Sequence, residues 1–150
     1  MKVVNGCIVS TMGFTCSCFD LLHAGHILML QDAKRQCDKL IVGLQTDPTI
    51  DRPDTKNKPI QSLEERKIQL EAIKYVDEVF IYDTEEELYK KLLDINPDVR
   101  ILGSDYIGKS FTGDDLDIDI YYHERKHNYS TTSLRKKIVS KHICRETKTR

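Results

Sequence analysis

Two histidines, His23 and His26, stand three residues apart with Gly25 between them, just after Cys18, Phe19 and Asp20. Imidazole donates a hydrogen bond whether neutral or charged, which suits a phosphate group gaining charge during displacement. If a helix begins near Ala24, both rings and the free backbone N–H groups gather at its positive end, and that is an anion site. Gly25 leaves room for a nucleotide to approach the backbone. An exposed helix start with two incidental histidines has the same spacing.

The elements that must position this stretch follow from the hydrophobic pattern. An apolar run over 8–15 predicts a first strand, and the spacing of Ile27, Leu28, Leu30 and Ala33 predicts a helix over 24–36. Residues 39–45 form a continuous apolar run, as expected of a strand buried on both faces. Ser62-Leu63-Glu64-Glu65 is a capping box that opens a helix reaching about Tyr75. Further strands are predicted at 77–82, 99–102 and 118–122. A helix opens at Thr84 and stops before Asn96-Pro97, and a last one covers 133–139. The alternation predicts an α/β, Rossmann-like doubly wound fold: a mainly parallel five-stranded sheet with helices on both faces. Residues 1–9 read as a lead-in, the loops at 46–60 and 104–117 as polar, and the tail from Lys141 as frayed.

Composition narrows the function. A chain of 150 residues with 39% apolar content suffices for one domain with a real core. Its net charge of −1 gives no support to bulk nucleic-acid or membrane-surface binding, so any anion site must gather its cations locally. Lys56, Lys58, Arg66 and Arg125 are candidates. Five cysteines without a paired framework suggest a reducing compartment, and no stretch approaches the ~18 apolar residues of a membrane span; the chain reads as cytoplasmic. Cys16-Ser17-Cys18 is either half of a metal site or a strand carrying small apolar residues.

Phe19-Asp20-Leu21-Leu22-His23-Ala24-Gly25-His26 resembles the H-x-G-H signature of the nucleotidyltransferase superfamily, in particular its cytidylyltransferase family. Glu65-Arg66-Lys67, Tyr75-Val76-Asp77-Glu78 and Arg125 with Tyr129-Ser130-Thr131-Thr132 resemble further blocks of that family in order, so the likeness spans about residues 10–139. It is strongest to members acting on glycerol 3-phosphate. The resemblance implies transfer of CMP from CTP to a phosphorylated alcohol, with release of pyrophosphate and with Mg²⁺ bridging phosphates, no protein metal ligand being assigned. It implies catalytic roles for His23, His26, Arg66 and Lys56. It implies nucleotide binding by Cys18, Phe19, Asp20, Gly25, Lys58, Asp105, Arg125, Ser130, Thr131 and Thr132, and a homodimer.

Single residues keep bland alternatives. Asp20 orients a histidine, lies near the metal, or caps the turn. Ser130-Thr131-Thr132 hold outer phosphates, cap a helix, or both. Asp77 reads as structural. The acceptor pocket is expected from 104–117 and the lead-in. Three sites depart from the family pattern: Ser17 replaces a glycine that could require positive φ, Lys74 replaces an arginine, and Lys126-His127-Asn128 replaces threonine-x-glycine. Two other functions stay open. One is an adenylyltransferase of the same superfamily using ATP; the other is a CTP-binding module that has lost catalysis.

Overall fold

The computed structural model describes residues 1–148. The chain opens with a hairpin, β1 (Lys2–Val4) and β2 (Cys7–Val9), followed by β3 (Met12–Ser17), α1 (Ala24–Arg35) and β4 (Lys39–Gln45). Then come α2 (Leu63–Glu71), β5 (Glu78–Tyr82), α3 (Glu85–Ile95), β6 (Val99–Gly103), β7 (Asp119–His123) and α4 (Thr131–Lys148). The main sheet has five parallel strands in the order β5-β4-β3-β6-β7.

Alternation along β4 explains why helices cover both faces. Leu40, Val42 and Leu44 point to one side, where Leu30 and Ala33 of α1 and Leu70 of α2 complete a buried cluster. Ile41 points to the other, with Phe14, Tyr82 and α3's Leu88 and Leu92. Each such leucine, fully buried, stabilises the fold by about 1.5–3 kcal/mol.

The first predicted strand, over 8–15, is two elements. Asn5 and Gly6 take φ of 49° and 79°, the two-residue turn that matches hairpin twist, so Ile8 pairs back with Val3 and β3 begins only at Met12. Helix α2 stops at Glu71 because Ile73, Tyr75 and Val76 reach the core only once the chain leaves the helix. Helix α4 runs on to Lys148 rather than ending near Val139, through a segment with neither Gly nor Pro; the rest of the predicted frayed tail, 149–150, lies outside the described residues.

At the amino end of the sheet one device recurs. Asp38, Asp77 and Asp98 each directly precede a strand. Each donates its N–H to a carbonyl of the neighbouring strand's first residues (Thr11, Leu40 and Met12) and accepts that same residue's N–H on its carboxylate, at 2.8, 2.7 and 2.8 Å. Asp77 also pairs with Lys34, which bears out its structural reading. Burial works against its charge, but the Leu40 N–H and the Lys34 ammonium hold its carboxyl below the usual range.

Candidate active site

Strand order reverses between β3 and β6, and the crevice beyond their carboxyl ends is where open α/β sheets bind ligands. A cavity of about 520 Å³ lies there, of a size that suits a small-molecule ligand. His23, Gly25, His26, Arg125 and Thr131 line one side of it.

The turn into α1 is strained. Phe19 and Leu21 hold φ of 48° and 50°, a left-handed conformation that costs a side chain about 1–3 kcal/mol each. Ser17, the last residue of β3, is not among the positive-φ residues, so the strain expected there falls one turn later. Phe19 is 1% exposed, with its ring centroid 5.5 Å from that of His26. Asp20, between the two strained residues, accepts from the N–H of Ile60 at 3.0 Å, the N–H of Gln61 at 2.9 Å and Arg135 at 2.9 Å. Burial opposes its charge, but these donors hold the carboxyl below its ordinary range.

The Asp20 carboxylate thus ties this turn to the end of the 46–60 loop and to α4.

The histidines form a reciprocal cap. The N–H of Gly25 donates to His23 Nδ1 at 3.0 Å, and the N–H of His23 donates to His26 Nδ1 at 3.2 Å. Because each Nδ1 accepts, each ring in its neutral form carries its proton on Nε2. His23 Nε2 lies 3.3 Å from the Thr131 hydroxyl. Burial, then the neighbouring His23 and Arg125, pushes His26 down to about 4. Burial, then Arg125 and His127, lowers His23 as well. Near neutral pH both are uncharged N–H donors at the positive end of α1.

Gly25 is required, for a different reason than nucleotide approach. A Cβ there would meet His23 Cε1 at 2.8 Å and His127 Cε1 at 2.9 Å. His127, which sequence reading recorded only as a departure, is thus a third imidazole of the site. Its Nδ1 accepts from the Tyr129 N–H at 3.1 Å, and its Nε2 is buried without a partner. Arg125 braces the same loop by donating to the Tyr129 carbonyl at 3.0 Å.

The remaining predicted residues divide. Lys56, Cys18 and Asp105 line the cavity, while Lys58, Thr132, Phe19 and Asp20 do not. Ser130 caps α4, its hydroxyl oxygen accepting from the Ser133 N–H at 3.1 Å. Arg66 corrects the expectation of a phosphate contact. It is 2% exposed and donates to the carbonyls of Cys18, Gln45 and Thr46 at 2.9, 2.7 and 2.7 Å, so it braces the strand ends instead. The lead-in takes no part in the cavity, whereas Ser110, Phe111 and Thr112 of the second loop do.

A further group went unread. Asp32 of α1 pairs with His123 Nδ1 at 2.7 Å and accepts from the Tyr121 hydroxyl, which leaves His123 Nε2 buried and unpartnered beside the cavity. No local motif could show this, since the partners lie 91 residues apart.

Among the described residues no cluster of three or more His, Cys, Asp or Glu side chains could hold a metal ion. Asp20, the acid placed nearest a metal by sequence, is spent on Ile60, Gln61 and Arg135. Cys16 and Cys18 are free thiols, and burial foremost raises both.

The fold and site define a nucleotide-binding α/β protein with imidazole donors at a helix start. The cytidylyltransferase-like family model matches residues 14–137, and the chain belongs to that family of nucleotidyltransferases. The bifunctional protein HldE of Wolinella succinogenes is 42% identical over 125 residues, which is 83% of this chain and 26% of that protein. The HldE of Hyphomonas neptunium is 40% identical over 105 residues, 70% of this chain and 21% of its own. The chain thus spans about a quarter of the length of these curated relatives. Among solved structures, the lipopolysaccharide core biosynthesis protein of Thermoplasma volcanium superposes with a TM-score of 0.63 at 24% identity, covering 81% of this chain and all of that one. Pantoate-β-alanine ligase of Francisella tularensis gives 0.56 at 17%, covering 85% and 62%. Both share the fold.

Proposed function

We propose that this domain transfers a nucleotidyl group from CTP to the phosphate of a small phosphorylated alcohol, as with glycerol 3-phosphate. The observation that supports this reading is the His23–His26 reciprocal cap, which leaves the proton of each neutral ring on Nε2 in two side chains that line the cavity. An acceptor phosphate oxygen attacks the α-phosphorus, a new P–O bond forms, and the bond to the β-phosphate oxygen breaks. The products are a CDP-alcohol and pyrophosphate. No covalent enzyme intermediate is needed, so the protein's work is positioning and stabilising charge. His23 and His26 donate to oxygens that gain charge and the Thr131 hydroxyl completes the cradle, while the Gly25 and His23 amides are taken up by the cap. Mg²⁺ belongs to this reading as a partner of the triphosphate itself, and no step runs through it.

ATP is the second reading. The matched relatives named above are HldE proteins rather than cytidylyltransferases by name. The dimer expected from the resemblance and a cytoplasmic setting belong to the same proposal. Five free thiols support the setting, and among the described residues no helix is long and apolar enough to cross a membrane.

Pyrophosphate release with CTP and ATP, each with Mg²⁺, across a panel of phospho-alcohols tests the reading. Turnover with CTP is expected, and turnover with ATP alone would replace it by the second. Nucleotide binding with no release from any pair would leave a binding module.

A further inference from the structure

The cavity continues over the end of β3 onto the α3 side of the sheet, where its charges do not balance. Arg100 of β6 is 3% exposed. Its Nη1 donates to the Thr112 carbonyl, its Nη2 lies 3.9 Å from Cys16 Sγ, and its Nε is buried with no partner. The guanidinium carbon sits 5.9 Å from the Phe14 ring centre and 5.0 Å from that of Phe111. A guanidinium stays charged at any ordinary pH, and buried charges in proteins are paired.

The acid of this half is Glu85, and it is already engaged. One carboxylate oxygen accepts from Arg52 at 3.1 Å and the other from the Thr112 hydroxyl at 2.5 Å. Thr112 therefore relays Arg100 to Glu85 through its own carbonyl and hydroxyl. Arg52, Lys56 and Arg100 all border the cavity here, so three cations face this one carboxylate. The α1 helix start and the histidines lie toward the other face, which leaves Glu85, already engaged by Arg52 and Thr112, as the carboxylate that α3 supplies to this side.

We propose that the α3-side half-cavity is the acceptor subsite, that its ligand is a small phosphorylated polyol, and that Arg100 is the counter-ion of that ligand's phosphate. Ser110 and Thr112 supply hydroxyl partners for a polyol, and Leu88 and Phe111 supply an apolar wall. The phosphate chemistry, rather than another anion, rests on the transfer reading above.

The test titrates inorganic phosphate and glycerol 3-phosphate into the nucleotide-free protein by calorimetry, and measures acceptor and nucleotide KM in variants. Arg100→Lys is expected to weaken both probes and raise acceptor KM about 10- to 100-fold, with nucleotide KM within about 2-fold. Glu85→Gln removes the competing carboxylate and should tighten both probes, an effect of opposite sign that loss of folding cannot imitate. If Arg100→Lys does not fold, the sign of the Glu85→Gln change decides. Probes that do not bind, or that bind equally well to wild type and both variants, overturn the subsite. A protein that binds the probes in this pattern yet releases no pyrophosphate overturns the transfer reading and leaves the anion site standing.

Discussion

The two ends of one parallel sheet use ionisable side chains in opposite ways. At the amino end, Asp38, Asp77 and Asp98 each take a backbone N–H from the neighbouring strand or the residue just before it, so these three charges have fixed partners and a structural task. At the carboxyl end, the Nε2 atoms of His123 and His127 are buried without partners and His26 is held neutral, and the orphaned Nε of Arg100, which starts from the second residue of β6, belongs to a side chain that lines the same cavity. Backbone amides can satisfy a carboxylate permanently. A guanidinium or imidazole beside a cavity is left to be completed by water or by a ligand. The same kinds of residue thus become braces at one end and binding groups at the other, depending on whether the protein supplies the second half of the hydrogen bond.

The sharpest break between the ends should come from His26→Ala. We expect a loss of about 100- to 1,000-fold in kcat/KM, as for removal of one transition-state donor, with about 0.5–2 kcal/mol lost in urea unfolding from the broken half of the α1 cap. Asp77→Ala should do the reverse, costing about 1–3 kcal/mol in urea unfolding while nucleotide and acceptor KM stay put. A kinetic defect in Asp77→Ala would erase the distinction.

Acid should act on both ends in sequence. Between pH 6.5 and about 4 the unfolded chain binds a proton that native His26 refuses, so stability declines as pH falls through that window. The decline is at most roughly 3 kcal/mol, and smaller where water reaches the ring. Asp20 and Asp77, whose carboxyls are held low, add their losses only further down, below the ordinary carboxylate range. Unfolding midpoints against pH should show the histidine phase first, and His26→Gln should shrink it, with His23, also lowered, supplying the remainder.

Two smaller effects sharpen the boundary. His127→Ala should slow turnover about 10-fold if its free N–H meets phosphate. Ser17→Gly should give no gain and instead destabilise by about 0.5–1 kcal/mol, since glycine inside a strand costs entropy and Ser17 carries no positive φ.

What sequence alone could tell depended on how far apart the partners lie in the chain. The Ser62–Glu65 capping box is local and formed as its spacing implies, and the helix start at Ala24 did too, although His23 and His26 cap amides that the spacing suggested were free. The five strands were legible because β4 and its neighbours are nearly continuous apolar runs. The Asn5-Gly6 hairpin was legible too, but its signal was read through as strand. Arg66 and Asp20 were assigned by charge type, and charge type does not reveal whether a side chain is buried among carbonyls and amides. Arg100, His123 and His127 acquire meaning only from partners on other strands and loops, which no spacing rule reaches.

The Asp20 tie also sets a timetable. Its partners are separated by 40, 41 and 115 residues along the chain, the last being Arg135. Contacts of such separation close late, because the intervening loops must be ordered first. During synthesis the His23–His26 turn emerges early, gains its first anchors with residues 60 and 61, and has its last only when Arg135 leaves the ribosome. The strand pairing of β3 with β4 can be complete well before that. Catalytic competence is therefore the last property this domain acquires, and a nascent chain stopped short of α4 would carry a finished sheet around an unfinished site.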